Sequence, residues 1–325
     1  MAVAEHLGPF ALGRVHVGDC LSLMKQMPDG CVQCCVTSPP YWGLRDYGVD
    51  GQLGLEKTPE EYVAGMVAVF AEVRRVLRDD GTLWLNLGDS YASGEIGRHD
   101  FAAGTGIGDR PKRMAERQTR RVNSGLKPKD LVGIPWRVAF ALQADGWYLR
   151  QDIIWHKPNP MPESVTDRCT KAHEYIFLLS KSARYYYDAE AVKEPVCEVS
   201  LKRAEYGWNC DRASTKNASM GGAGIHTDKM GDRFVDPSGR NRRSVWTITT
   251  KPYAEAHFAT FPPEIPERCI KAGCPKGGTV LDPFFGAGTT GLVAARLGRE
   301  FIGIELNADY CEMARKRIYG TLGIC

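Results

Sequence analysis

The sequence predicts an α/β protein with a doubly wound, mostly parallel sheet. Apolar runs such as Cys31–Ser38 have the near-continuous hydrophobicity of parallel strands that are covered on both faces. Segments with a helical spacing of apolar residues follow several of these runs, and strand and helix alternate to the end of the chain. The 325 residues suffice for one large domain or two ordinary ones.

Seven segments have strand character when the chain is followed from its start. They are short stretches that contain consecutive or alternating apolar residues, and they lie at Val15–Val17, Val32–Thr37, Leu83–Leu87, Arg150–Lys157, Glu174–Lys181, Val280–Asp282 and Phe301–Glu305. A helix is predicted after Thr58, because Glu61 follows three residues later and completes a capping box. A second helix ends at Gly146, and two more begin near Gly288 and Asn307.

Two segments interrupt this alternation. Residues 95–129 are rich in glycine and carry nine Lys or Arg against four Asp or Glu, which is typical of a basic mobile loop. Residues 184–245 are polar, show no periodicity and end in a cluster of arginines. The predicted organisation is therefore a main domain of residues 1–183 and 246–325, with residues 184–245 inserted into it.

Composition limits the function classes. The formal net charge of +3 is mildly basic and does not by itself indicate an anionic partner. No run of 18 apolar residues is present and the first residues do not form a secretory leader, so we expect neither a membrane span nor secretion. The 11 cysteines are scattered without zinc-site spacing, which favours reduced thiols in a cytoplasmic protein and predicts no metal site.

A glycine loop lies between a strand and a helix near the C-terminus, in VLDPFFGAGTTGLVAARLG. Gly286, Gly288 and Gly291 allow a backbone to approach a ligand at a helix N-terminus, although a ligand-free turn would also need glycines. Glu305 ends the next strand, where an acid can bind ribose hydroxyls. Asp282 at the tip of the first strand suits a cationic group and would repel a pyrophosphate, which favours S-adenosylmethionine over NAD.

Two motifs together resemble a known family. DPFFGAGTT followed by GIE, and TSPPYWGL far upstream, resemble the S-adenosylmethionine-dependent DNA amino-methyltransferases, as do IIWHKPNPMP, HEYIFLLSK and HFATFPPEIPERCI. The order, with the catalytic motif first, resembles the circularly permuted beta group. The resemblance implies a Rossmann-like methyltransferase fold with a seven-stranded sheet, and a target-recognition region in residues 184–245.

The resemblance also implies roles for individual residues. The expected cofactor-binding residues are Asp19, Phe261, Asp282, Phe284, Gly286, Gly288, Thr289, Thr290 and Glu305, and the expected catalytic residues are Ser38, Pro39, Pro40 and Tyr41. The partner is double-stranded DNA, with Arg240, Arg242 and Arg243 expected to contact it and loop 95–129 expected either to follow the phosphates or to be solvated.

The catalytic turn has a chemical rationale. An exocyclic amine is a poor nucleophile, and acceptors aimed at its two hydrogens, such as Ser38 Oγ and the Pro39 carbonyl, make it more reactive. The two prolines fix the turn, and Tyr41 offers a face on which a flipped base can stack. A cytosine C5 enzyme would need a cysteine beside this motif, yet none follows Pro39 until Cys169.

The identity of the modified base is less strongly indicated. Serine at the first position of the catalytic turn resembles the enzymes that methylate cytosine N4, so that base is favoured over adenine N6. A nicotinamide oxidoreductase would leave TSPPY unexplained, and a catalytically dead relative would not need the intact motifs. The sequence leaves open the recognition site, a cognate restriction endonuclease, a bacterial or phage origin, and whether the protein is a monomer or a homodimer.

Overall fold

The fold is an eight-stranded sheet flanked by helices. The computed structural model describes residues 6–44, 48–92, 125–196, 238–250 and 261–322. Most of the basic loop 95–129 and most of segment 184–245 lie outside the described residues. A hairpin of β1 (His6–Leu7) and β2 (Phe10–Ala11) precedes the sheet.

The sheet is built from both ends of the chain. Its strands are β3 (Arg14–Val17), β4 (Val32–Thr37), β5 (Leu77–Leu87), β6 (Tyr148–His156), β7 (His173–Ser180), β8 (Val245–Thr247), β9 (Thr279–Asp282) and β10 (Glu300–Glu305). The helices are α1 (Cys20–Met24), α2 (Pro59–Val76), α3 (Ile134–Ala144), α4 (Glu264–Gly273), α5 (Thr289–Arg296) and α6 (Ala308–Leu322).

The strand order is β3-β10-β9-β4-β5-β7-β6-β8, and only β7 runs antiparallel to its neighbours. The doubly wound, mostly parallel fold is therefore confirmed, with eight strands instead of seven. The additional strand, β8, has three residues and pairs with β6, so it is too short for its pattern to be recognised in the sequence.

Parallel strands bring their carboxyl ends to one edge of the sheet. Strands β3, β4, β5, β6, β9 and β10 all end at this edge. Because β7 runs the opposite way, its first residues lie there instead, so His173 and Glu174 come close to the ends of β5 and β6. We call this side the active edge.

Both faces of the sheet are packed. Leu83 and Leu85 belong to a core that includes α2 and α3, whereas Trp84 between them points to the opposite face. There the Trp84 ring stacks near Trp246, and α4 approaches so closely that a Cβ at Gly273 would lie 2.5 Å from Trp84 Nε1. The central strands are buried on both sides, as their continuous hydrophobicity predicted.

The helix predicted after Thr58 is present with its N-cap. The Glu61 backbone N–H donates to Thr58 Oγ1 at 3.2 Å, and Glu61 Oε2 accepts from the Lys57 backbone at 3.0 Å. The helix ends at Val76, and β5 begins at Leu77, well before the predicted start of that strand at Leu83. Leu77 is buried and pairs with Val32. The strand therefore includes the polar residues between Leu77 and Leu83, which hide its start in the sequence.

A second compact unit comprises Ala189–Arg243, and the first comprises residues 1–188 and 244–325. The described part of the second unit contains a short 3-10 helix, Glu190–Val192, and an antiparallel bridge between Glu194 and Arg240. This unit falls within the segment that was predicted to recognise the target.

Candidate active site

A cavity of about 870 Å³ opens at the active edge. Its lining comes from the turn after β4, the glycine loop after β9, the ends of β3, β5 and β10, and the loop between β6 and β7. This volume lies in the range of small-molecule sites and can hold a cofactor-sized ligand together with part of a second one. The catalytic motif and the glycine loop, about 240 residues apart in the chain, therefore share one site.

The turn that begins at Ser38 is held by the protein around it. The Tyr62 hydroxyl donates to the Pro40 carbonyl at 2.9 Å, and the Gly43 N–H donates to the Gly54 carbonyl at 2.8 Å. The Pro39 carbonyl accepts no hydrogen bond from the residues the structure describes, so it is available to a ligand. Ser38, Pro39 and Pro40 all line the cavity.

Tyr41 also lines the cavity, and its ring is packed tightly against Gly88. A Cβ at Gly88 would lie 2.5 Å from the Tyr41 Cε2, so no side chain fits at that position unless the ring moves. The Tyr41 hydroxyl lies 3.4 Å from Ser38 Oγ and donates to Glu174 Oε2 at 2.8 Å. The ring is thus held along one edge by Gly88 and at its hydroxyl by Glu174. Its role in stacking with a flipped base stays a prediction.

A polar network behind the turn was not identified from the sequence. Asn86 Oδ1 lies 3.3 Å from Ser38 Oγ, and Asn86 Nδ2 donates to Glu174 Oε2 at 3.2 Å. Lys157 forms an ion pair with the other oxygen of Glu174. The sequence did contain a signal for this network. Asn86 interrupts the apolar run of β5, and Glu174 comes just before the apolar run of β7. A polar side chain in a buried strand needs a hydrogen-bond partner.

The glycine loop is attached to the end of β10 through Glu305. Its Oε2 accepts from the Gly286 N–H at 2.8 Å, and its Oε1 accepts from the Asn307 N–H at 2.9 Å. Burial raises the pKa of Glu305, and these N–H donors oppose the rise. Gly286 has a φ of 50°, and a Cβ there would meet no protein atom, so the loop leaves open space on its cavity side.

Asp282 is the last residue of β9, as the sequence predicted, and its role in cofactor binding stays a prediction. Its side chain is buried, with 2% of the residue exposed, and it does not line the cavity. Thr37 Oγ1, Thr290 Oγ1 and the Phe284 N–H donate to it at 2.6, 2.7 and 3.1 Å. Burial raises the pKa of Asp282 to about 6 despite these three donors. Asp282 therefore holds the loop in place from behind.

Gly288 and Thr290 also lie behind the cavity. Gly288 has a φ of 76°, and a Cβ there would lie 2.9 Å from the Cβ of Ala314 in α6, so this glycine permits close helix packing. Thr290 is buried and bonds Asp282. Thr289, in contrast, lines the cavity, and its hydroxyl accepts from Arg317 at 2.9 Å.

The remaining predicted cofactor residues do line the cavity. Phe261 and Phe284 contribute aromatic rings. Asp19 is the N-cap of α1, and its Oδ1 accepts from the Ser22 N–H at 2.8 Å and from the Ser22 hydroxyl at 2.7 Å. Nine cofactor residues were predicted, and the structure brings six of them to the cavity: Asp19, Phe261, Phe284, Gly286, Thr289 and Glu305.

The three arginines predicted to contact DNA belong to the second unit, where they make internal contacts. Glu194 Oε1 accepts from Arg240 at 3.0 Å and from Arg243 at 2.6 Å. Arg242 Nε donates to the Val192 carbonyl at 2.7 Å. These contacts organise the unit around the partly buried carboxylate of Glu194, and contact of the arginines with DNA stays a prediction.

Sequence comparison identifies the family. A family model described as DNA methylase, of the N6 and N4 type, matches residues 32–316, which include the catalytic turn and the glycine loop. The chain belongs to this DNA methylase family. The methylase is 48% identical over 305 residues to the Type II methyltransferase M.XycI of Xanthomonas campestris pv. cyanopsidis, with 93% of this chain and 86% of that protein covered. It is 47% identical to M.SmaI of Serratia marcescens, with 94% and 90% covered.

Solved structures share the fold of the methylase. The PvuII DNA methyltransferase, described as cytosine-N4-specific, superposes with a TM-score of 0.60 at 20% identity and covers 93% of this chain and 85% of that one. TTHA0409 of Thermus thermophilus in complex with S-adenosyl-L-methionine gives a TM-score of 0.58 at 23% identity, with 94% and 93% covered. These likenesses confirm the predicted methyltransferase fold.

S-adenosyl-L-methionine is the cofactor of the methylase, as predicted, and the residues present fit it. The open space beside Gly286 and the carboxylate of Glu305 lie at the end of β10, where a nucleoside ribose binds in open α/β sheets. Phe261 and Phe284 offer apolar surface to this ligand. S-adenosyl-L-methionine has no pyrophosphate, so its binding places no phosphate charge next to the Glu305 carboxylate.

The residues that the structure describes contain neither a membrane-spanning helix nor a cluster of metal ligands. None of their helices is both long and apolar enough to cross a membrane. The same residues contain no group of three or more His, Cys, Asp or Glu side chains that could hold a metal ion. Cys34 and Cys35 are buried in β4, and burial raises the pKa of both thiols well above the usual value, so neither is an activated nucleophile.

Proposed function

We propose that this methylase transfers a methyl group to the exocyclic N4 amine of a cytosine that is flipped out of double-stranded DNA. One observation carries the proposal: a cluster of hydrogen-bond acceptors at Ser38, Pro39 and Asn86 faces the same cavity as the cofactor loop. An exocyclic amine presents two hydrogens, and such acceptors draw its nitrogen lone pair out of conjugation with the ring.

The chain supplies orientation and a route for the proton. The bound cofactor supplies the methyl group. Ser38 Oγ and the Pro39 carbonyl orient the amine, and Asn86 Oδ1, 3.3 Å from Ser38 Oγ, is a further acceptor on the same side. This arrangement acts by preorganised electrostatics and proximity, without a covalent intermediate.

The methylated nitrogen must lose one proton. Ser38 Oγ takes it and passes its own proton to the Tyr41 hydroxyl, 3.4 Å away, which in turn donates to Glu174 Oε2 at 2.8 Å. The series ends on a carboxylate that is paired with the Lys157 ammonium. After the transfer from the base to Ser38, the two later steps each move one proton along a hydrogen bond of the protein, so the proton that leaves the base is balanced by one that arrives on Glu174.

The choice of cytosine rests on Ser38, because serine at this position resembles the N4 subgroup of the family. Adenine N6 is the second candidate, since its amine has the same two hydrogens and the family includes enzymes for both bases. We further propose that residues 184–245 recognise the target sequence, that loop 95–129 follows the phosphates, and that a cognate restriction endonuclease acts beside the methylase in the cytoplasm of a prokaryotic or phage-infected cell.

The test is methylation of unmodified genomic DNA with S-adenosylmethionine labelled in its methyl group. The DNA is then digested to nucleosides, which are identified by mass spectrometry, and a second sample is read by single-molecule sequencing to find the site. Labelled N4-methylcytosine at one sequence supports the proposal, whereas N6-methyladenine selects the second candidate. Labelled 5-methylcytosine, or DNA without label, would contradict both.

A further inference from the structure

A strongly exposed apolar side chain, that of Met161, belongs to the lining of the cavity. Met161 is 86% exposed, the highest value among the large hydrophobic residues that the structure describes as exposed, and it lines the cavity. A methionine in this position gains nothing from burial in the free protein. It lies in the loop between β6 and β7, four residues after Lys157, and the catalytic turn lines the same cavity.

This loop is anchored although it contains no helix or strand. Asn159 forms two hydrogen bonds with the backbone of Thr250, at 3.2 and 3.1 Å, and Glu163 accepts from Arg168 at 2.5 Å. Pro160 and Pro162 flank the methionine and fix the backbone dihedral angles on both sides of it. The side chain is therefore presented to solvent by a stiff backbone.

The lining of the cavity carries charges of both signs. Lys157 and Lys171 belong to it, and so do Glu163 and Glu174, of which Glu174 pairs with Lys157. Burial lowers the pKa of Lys171. The feature that matches a duplex is therefore the exposed apolar tip of Met161, because stacked bases are apolar.

We propose that Met161 is the wedge that enters the DNA base stack and fills the space left by the flipped base. This inference rests on the proposed function, because only a flipped base leaves such a space. Proteins that open duplexes insert apolar side chains between base steps, methionine among them. The unbranched methionine side chain adapts to the gap at little cost in strain.

Leu131 provides a matched control. It is 52% exposed but does not line the cavity, and it is not flanked by prolines. The variants to compare are Met161→Ala, Met161→Leu and Leu131→Ala. Because both side chains are exposed, we expect all three variants to unfold at the wild-type temperature and to bind S-adenosylmethionine in calorimetry as the wild type does.

The experiment measures single-turnover methyl transfer to two oligonucleotide duplexes that contain the site found by sequencing. In one duplex the target base is paired correctly, and in the other it faces a mismatched base that lowers the energy needed to flip it. We expect Met161→Ala to be about 10- to 100-fold slower on the paired duplex and within about 3-fold of the wild type on the mismatched one. Met161→Leu and Leu131→Ala should stay near the wild-type rate on both.

Three results would overturn the inference. Met161→Ala could match the wild type on the paired duplex, it could be impaired equally on both duplexes, or Leu131→Ala could show the loss that the mismatch relieves. Failure of the proposed function gives a different result from all three, because the wild-type protein would then methylate neither duplex at the exocyclic amine. In that case the proposed role of Met161 would be wrong as well.

Discussion

Thr37 donates a hydrogen bond of 2.6 Å to Asp282, and this contact joins the catalytic turn to the cofactor loop. Thr37 immediately precedes Ser38, and Asp282 is the last residue of β9 before the glycine loop. Both residues are buried. Thr290 donates to the second carboxylate oxygen, so one side chain fixes the end of β4, the start of α5 and the loop between β9 and α5.

Asp282 makes the stability of the methylase depend on pH. Its pKa is about 6 in the folded protein and 3.8 as the reference value, so the folded state binds a proton more readily than the unfolded state. The contribution of this group to stability is therefore greatest near pH 4 and declines as the pH rises to about 6. The amide introduced by Asp282→Asn does not titrate, so the free energy of unfolding of the variant, minus that of the wild type, should increase over this interval.

Urea unfolding at pH 4.5, 5.5, 6.5 and 7.5 checks this expectation. Thr37→Val is an informative companion, because removing one donor to Asp282 should raise its pKa further and extend the decline to higher pH. A constant difference between Asp282→Asn and the wild type at all four pH values would refute the link between burial and titration.

Ser38 is expected to contribute to the rate of methyl transfer without contributing to cofactor affinity. Ser38→Ala removes one acceptor for the amine, and the loss of one preorganised polar group in an active site lowers kcat by about 10²-fold. Single-turnover transfer and calorimetry with S-adenosylmethionine measure the two quantities separately. Ser164→Ala, on the exposed loop between β6 and β7, should change neither, and a large loss of cofactor affinity in Ser38→Ala would indicate a different role for this residue.

The proton route predicts that Tyr41 and Glu174 act together. Glu174→Gln removes the terminal acceptor and Tyr41→Phe removes the hydroxyl that leads to it, so each should lower kcat by at least about tenfold. The double variant should be no slower than the more impaired single variant, because the route is already interrupted. If the two losses multiply in a double-mutant cycle of single-turnover rates, the residues act independently and the route is incorrect.

Gly88 is expected to be required for the position of Tyr41. Its backbone has no positive φ, so Gly88→Ala is opposed only by the contact with the Tyr41 ring, where the new Cβ would lie 2.5 Å from Cε2. We expect kcat to fall by about tenfold or more, since misplacement of a positioning group by about 1 Å lowers rates to at least that extent. Gly320→Ala in α6 is the control, because a Cβ there meets nothing and alanine favours the helix.

Some features of the methylase can be located from the sequence alone, and others cannot. The catalytic turn at Ser38–Tyr41 and the glycine loop are each one short, continuous segment of the chain. Both were located in the sequence, together with the fold class, because their backbone conformations require prolines or glycines at particular positions. The Asn86–Glu174 contact joins residues 88 positions apart on two antiparallel strands, and pairing register is not readable from a single strand.

The same reason explains why the partners of Asp282 were not foreseen. The sequence shows an acid at the end of a strand, but the direction of its side chain depends on the two threonines that neighbouring elements bring to it. The contact of Arg240 and Arg243 with Glu194 was not foreseen either, because Glu194 lies 46 residues before the first of them. Contacts between distant segments, and not local composition, decide these cases.

The pairing of β3 with β10 has a consequence for the connectivity of the chain. Val15 lies opposite Gly303, and the Tyr319 hydroxyl donates to the Gly13 carbonyl at 3.4 Å, so segments far apart in the sequence are neighbours in space. A chain in which these segments were joined and a different loop was opened could keep the same side chains around the cavity. The site is therefore defined by which strands are adjacent, and the order of the two motifs along the chain is not essential to it.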